Sequence, residues 1–139
     1  MSLIQPGEYF IRCAENDLYI DLSGGNADPE TPVIGWHLHK GTNQRWDVQL
    51  KSAPNVFTVR SMVGEVYVGL SSLKIFPPLV AAQSFPEPWS IEPVGEGKFR
   101  IHFLYMDAVV TLPEDREGTQ LVLRPWRGEN RQMFVFENA

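Results

Sequence analysis

Apolar and polar residues alternate in three short stretches that begin alike: Gly7-Glu8-Tyr9-Phe10-Ile11-Arg12, Asn55-Val56-Phe57-Thr58-Val59-Arg60 and Gly97-Lys98-Phe99-Arg100-Ile101-His102. A period of two puts the apolar side chains on one face of a strand. A second apolar strand follows each: Leu18–Leu22, Val66–Leu70 and Ala108–Leu112. Tyr9 to Leu22, Phe57 to Leu70 and Phe99 to Leu112 all span 13 positions. A third strand is clearest as Pro32-Val33-Ile34-Gly35-Trp36 and Gln120-Leu121-Val122-Leu123. Each unit closes on an aromatic that opens an apolar run: Trp46, Trp89 and Phe134, separated by 43 and 45 positions.

The pattern predicts an all-β chain of three four-stranded repeats, near residues 7–52, 53–95 and 96–139, within a single domain spanning 1–139. A propeller needs roughly four or more blades, whereas three units can close as a three-fold barrel capped by hairpins, which also removes exposed sheet edges. The repeated aromatics Tyr9, Phe57, Phe99, Trp46, Trp89 and Phe134 are expected to fill the shared core.

Composition narrows the function classes. With 139 residues, 43% hydrophobic, and 11 Gly and 11 Pro scattered throughout, the chain reads as one globular, turn-rich domain. A net charge of -5 without basic clusters argues against nucleic acid as a partner. No apolar run approaches the ~18 residues of a membrane span, so membrane insertion is not expected. Met1–Gly7 lacks the basic and apolar regions of a secretory signal. Cys13, the single cysteine, excludes an intrachain disulfide and is expected to face the core. No Asn-x-Ser/Thr sequon occurs. The expectation is a cytoplasmic protein, or a mature form whose signal has been removed.

The first unit contains Tyr19-Ile20-Asp21-Leu22-Ser23-Gly24-Gly25-Asn26, Thr31-Pro32-Val33-Ile34-Gly35-Trp36-His37-Leu38-His39 and Gly41-Thr42-Asn43-Gln44-Arg45-Trp46. Gln-x-Trp, Asp-Leu-Ser-Gly-Gly and Gly-Trp-x-x-His-x-Gly-x-Asn resemble the repeat of the fungal (mushroom) ricin-B-like β-trefoil lectins. The motif is specific in unit one, and units two and three match in strand spacing and closing aromatic. The resemblance implies a β-trefoil with pseudo-three-fold symmetry. It also implies a carbohydrate-binding protein for terminal galactose or N-acetylgalactosamine and a defence role, while the residues themselves lead to the expectation of no enzymatic activity, cofactor or metal. Carried over by residue, the site would use Asp21, Gly24, Trp36, His39 and Asn43, with Gln44 and Trp46 as structural support.

Elementary chemistry agrees. A carboxylate accepts from two hydroxyls at once, and Asn donates and accepts. An aromatic ring offers an apolar face to a sugar's C–H edge, and Gly-Gly permits close backbone approach. Taken singly, Asp21 could cap the Ser23-Gly24-Gly25 turn, Trp36 could lie in the core, and Asn43 could be a turn residue.

By offset, Asp21 falls on Gly69 and Thr111, Trp36 on Arg124 and Asn43 on Arg131, so units two and three are expected to be scaffold with one sugar site in unit one. Trp126 is either exposed or buried. Monosaccharide affinity at a shallow site is of order mM, about -4 kcal/mol, so a homodimer supplying avidity is expected. The partner class is galactose-containing glycans, including extended disaccharides such as lactose or GalNAcβ1-4GlcNAc (LacdiNAc). The alternative is a β-trefoil protease inhibitor acting through Ser84–Pro88 or Leu112–Gly118. Catalysis has weaker support: no acid/base pair is recognisable. His37 and His39, on one face of an extended strand, lack a third metal ligand.

Overall fold

The computed structural model describes residues 3–139. Twelve strands follow in order: β1 (Gly7–Cys13), β2 (Tyr19–Leu22), β3 (Val33–Trp36), β4 (Trp46–Ser52), β5 (Val56–Ser61), β6 (Tyr67–Leu70), β7 (Val80–Gln83), β8 (Trp89–Gly95), β9 (Lys98–Phe103), β10 (Val109–Thr111), β11 (Val122–Arg124) and β12 (Phe134–Asn138).

Six of them close a ring by antiparallel pairing: β1 to β4, β4 to β5, β5 to β8, β8 to β9, β9 to β12 and β12 back to β1. The other six form three hairpins, β2–β3, β6–β7 and β10–β11. Single bridges Pro32↔Ala81, Ile34↔Gln120 and Leu79↔Val122 tie these hairpins to one another across one end of the barrel. This is a β-trefoil, and its closure leaves the barrel strands without a free edge.

Alternation explains which residues go inside. In β5 and β9 every second residue is buried, the set including Phe57, Val59, Phe99 and Ile101. Nine side chains meet on the three-fold axis, three from each repeat: Ile11, Ile20, Val33; Val59, Val68, Val80; Ile101, Val110, Leu121. Full burial of one such side chain contributes about 1.5–3 kcal/mol. Trp46, Trp89 and Phe134 are all but completely buried. Each buried indole needs an acceptor for its N–H. Trp46 donates to Ile20 O at 3.0 Å and Trp89 to Val68 O at 2.9 Å, the same bond in two repeats.

The third strand of unit one ends where its apolar pattern does. It stops at Trp36, and His37 and His39 lie in the following loop rather than on a strand. The Gln44 side-chain amide bonds that loop at His37 O, His39 N–H and Lys40 N–H.

Candidate functional site

Pairing within β2–β3 sets the two faces of this hairpin. Tyr19 lies opposite Trp36 and Asp21 opposite Ile34. Ile20, Leu22 and Val33 therefore point to the core, while Asp21 and Trp36 share the outer face. The single-turn 3-10 helix Ser23–Gly25 follows, with Gly24 at φ 63 and nothing within 4 Å of where a Cβ would stand. Only a glycine adopts this left-handed conformation without strain while leaving the backbone open.

Asp21 sits at the base, 2% exposed. Its Oδ1 accepts from Asn43 Nδ2 at 3.1 Å and its Oδ2 from Gln44 Nε2 at 3.0 Å. It makes no capping bond to the Ser23–Gly25 turn, so the cap alternative does not hold. A carboxylate has about four acceptor positions, and two remain for other donors. Burial pushes the carboxyl above its usual range, while the Gln44 bond and then the nearby His39 draw it back.

Gln44 holds the site together. It is wholly buried in the second 3-10 turn, Thr42–Gln44. Its Nε2 also donates to His37 O at 2.8 Å, and its Oε1 accepts from the backbone N–H groups of His39 at 2.9 Å and Lys40 at 3.2 Å. Asn43 Nδ2 also donates to Leu22 O at 3.1 Å, which fixes its amide. His39 Nδ1 accepts from Gly41 N–H at 3.0 Å. A neutral His39 ring therefore carries its proton on Nε2, which faces Asp21 Oδ2 at 3.5 Å. That separation is longer than a hydrogen bond.

Trp36 is half-buried and outside the core cluster, which sets aside the core alternative. It abuts a residue that sequence spacing did not point to. Gly118, in the third repeat, is placed so that a Cβ there would lie 3.8 Å from Trp36 Cζ3. Beside it, Glu117 accepts from the His37 backbone N–H at 2.8 Å and bonds the His37 ring. These contacts, with the backbone bond first, lower the Glu117 pKa. The wall thus comes from the Leu112–Gly118 loop, about 80 positions away, a contact that no local motif encodes.

The other repeats keep the frame and change its contents. In repeat three Gln132 is buried like Gln44 and donates to Pro125 O at 2.8 Å and Thr111 Oγ1 at 3.2 Å, while its Oε1 accepts from Arg127 N at 2.8 Å. Thr111 thus stands for Asp21, Arg127 for His39 and, by strand register, Arg124 for Trp36. Arg131 stands for Asn43 and repeats its bond, donating to Leu112 O at 3.1 Å. In repeat two Gly69 stands for Asp21 and Gln83 for Trp36. Gln83 reaches Trp89 in six positions where Trp36 reaches Trp46 in ten, so the connecting loop is four residues shorter. Glu87, in the place of Gln44, is buried, and its pKa rises through desolvation.

The inter-repeat wall changes too. Gly118 N–H donates to Gly35 O at 2.9 Å, and Glu30 N–H donates to Ala82 O at 2.8 Å in the matching place. Glu30 therefore fills the space that Gly118 leaves for Trp36. Its carboxylate accepts from Ser71 Oγ at 2.7 Å, Gln83 Nε2 at 2.6 Å and Ser72 N at 2.9 Å. These bonds lower its pKa to about 2. Trp126 is half-buried, with the Arg100 guanidinium 5.0 Å over its ring. Among the described residues no group of three or more His, Cys, Asp or Glu side chains is arranged to hold a metal ion.

No protein-family model matches the chain. Solved structures share its fold. The Rhizoctonia solani agglutinin is 21% identical with a TM-score of 0.91, over 100% of this chain and 99% of its own. The Macrolepiota procera ricin B-like lectin in complex with lactose is 22% identical with a TM-score of 0.85, over 100% of both chains. The designed three-fold symmetric protein ThreeFoil is 12% identical with a TM-score of 0.90, over 96% of this chain and 99% of its own.

Proposed function

We propose that this chain is a ricin-B-like lectin that binds the terminal galactose or N-acetylgalactosamine of glycans through one such site, in its first repeat. One observation carries the reading. Asp21 is a buried carboxylate held by Asn43 and Gln44 with acceptor capacity to spare, on the same face of the β2–β3 hairpin as a half-buried Trp36. Burying a carboxylate is costly, even with His39 Nε2 3.5 Å from its Oδ2, and needs a compensating use. Repeat three shows that the same frame forms with threonine there, so folding alone does not require the charge. The likeness to a lectin solved with lactose lends support.

In this reading Asp21 accepts from two sugar hydroxyls. Gly24 N–H and His39 Nε2–H donate, Asn43 Oδ1 accepts, and Trp36 packs on the apolar sugar face. An epimer that fails to reach Asp21 leaves a buried acceptor unpaired, which is the source of selectivity. Weak single-site binding makes a homodimer and avidity part of the proposal, and a defence role would follow from cross-linking glycans of a consumer. Of the two loops considered for protease inhibition, Leu112–Gly118 is engaged against His37 and Trp36.

A glycan array probed with tagged, pre-complexed protein tests the proposal. The expected result is signal on galactose- and N-acetylgalactosamine-terminated glycans that Asp21→Asn and Asn43→Ala abolish while the thermal transition persists. Unchanged signal in those variants overturns the site. Absence of signal together with inhibition of a cysteine or serine protease overturns the function. A monomer in sedimentation at high concentration overturns the dimer.

A further inference from the structure

In repeat three, where the first repeat has its candidate sugar site, the fold leaves a cavity of about 320 Å³. This is within the size of small-ligand sites. Its frame is that of the first repeat, but its chemistry is inverted. Thr111 replaces the carboxylate, and its hydroxyl is used by Gln132 Nε2 and Val109 O. Arg124 and Arg127 replace Trp36 and His39, and both line the cavity. Both are exposed, and neither lies within 4.0 Å of a carboxylate among the described residues. Arg131, by contrast, is held by Leu112 O and by Asp115 at 3.4 Å. Two unpaired guanidinium groups in one cleft stand out on a chain of net charge -5.

The wall is equally distinctive. Phe76, 89% exposed, and Pro77 come from the second repeat, in the sector where the first site has Gly118. An aromatic ring left in solvent at the rim of a cationic cleft suits a ligand with one apolar face and one acidic group. Glu129 also lines the cleft. It repels a bare anion but accepts from hydroxyls. We propose that this cleft is a second binding site, for a saccharide carrying a carboxylate or sulfate, with the acidic group on Arg124 and Arg127 and the ring against Phe76. Guanidinium groups suit such oxyanions because they donate two parallel hydrogen bonds. This proposal departs from the expectation that repeat three is only scaffold.

The test is an amide-resolved NMR titration of the intact protein with methyl β-glucuronide, glucose 6-sulfate, methyl β-glucoside, inorganic sulfate and lactose. At least one acidic sugar is expected to bind at least ten-fold more tightly than the glucoside and to shift the amides of residues 76 and 124–129. Arg124→Ala/Arg127→Ala should lower that affinity at least ten-fold and Phe76→Ala several-fold, whereas Asp21→Asn should leave it unchanged. If both acidic sugars bind no better than the glucoside, the proposal is overturned on the unmodified protein, whatever the variants do. It is also overturned if the double arginine variant binds as before. Inorganic sulfate producing the same shifts and affinity, insensitive to Phe76→Ala, means an adventitious ion only and overturns it too. Lactose reports on the first repeat alone, so its failure to bind removes the galactose reading without touching this one.

Discussion

Replacing Gln44 by alanine separates the fold from the site. Gln44 makes four hydrogen bonds, to Asp21, His37 O, His39 N–H and Lys40 N–H. At about 1 kcal/mol net each these contribute ~4 kcal/mol, and one lost buried methylene adds ~0.8 kcal/mol. The His39 and Lys40 amides are only partly buried and recover some hydration, so the expected cost is about 3–5 kcal/mol. At roughly 3 °C per kcal/mol for a domain of this length, the thermal midpoint should drop by roughly 10–15 °C. Gln132→Ala is the matched control. It loses three bonds in the same frame and should lower the midpoint almost as far. Binding should divide the two variants. Gln44→Ala releases Asp21 and the His37–Lys40 loop and should weaken binding to immobilised galactose at least ten-fold, about 1.4 kcal/mol. Gln132→Ala should remain within about two-fold. Calorimetric melting and surface binding on both variants decide the matter. Equal binding losses would show that general destabilisation, and not Asp21, is being read. Full binding by Gln44→Ala would refute the anchoring argument.

Three further outcomes are expected. Burial raises the Asp21 pKa, so galactose binding should fall on acidification with a midpoint above the ordinary aspartate value of ~3.9. The folded state favours the protonated form, so Asp21's contribution to stability declines as pH rises through that same interval, opposite to its effect on binding. A binding midpoint below ~3.9 refutes the assignment. Glu30, held at about 2, supports stability fully above its unfolded-state value near 4.5 and loses that support as pH falls toward 2. Glu30→Gln should flatten the acid limb of urea unfolding between those values, and an unchanged limb refutes the reasoning. Cys13 is 1% exposed and desolvation raises its thiol pKa, so it should react with a thiol reagent only at the rate of unfolding. Rapid labelling under native conditions would contradict its burial.

Alternation and equal spacing made the strands and the three-fold closure legible, because inward-facing residues such as Ile11, Val59 and Ile101 recur at matching offsets and touch on the axis. Asp21, Asn43 and Gln44 were legible for a related reason: a 3-10 turn and a two-stranded hairpin within one repeat bring them together. What local pattern could not reveal lies between repeats. Glu117 and Gly118 belong to a loop without periodicity, and their meeting with His37 and Trp36 depends on hairpin packing around the axis. The end of β3 at Trp36 was legible, whereas the placing of His37 and His39 on a strand was not borne out, because side-chain bonds from Gln44 hold that segment as a loop. The cationic cleft escaped notice because Phe76 and Arg127 are some 50 positions apart and only the closed barrel makes them neighbours.

Gly118 has a consequence for how such a site can be moved or inherited. Residues 21–46 are not a transferable cassette. Grafted into a trefoil whose preceding repeat carries a side chain like that of Glu30, they would bring the carboxylate and the tryptophan but not the room beside it. On the proposed reading, ligand preference can therefore drift through changes in the third repeat while every residue of the first stays fixed. A variant library meant to retune binding should randomise positions 114–118 before touching Asp21.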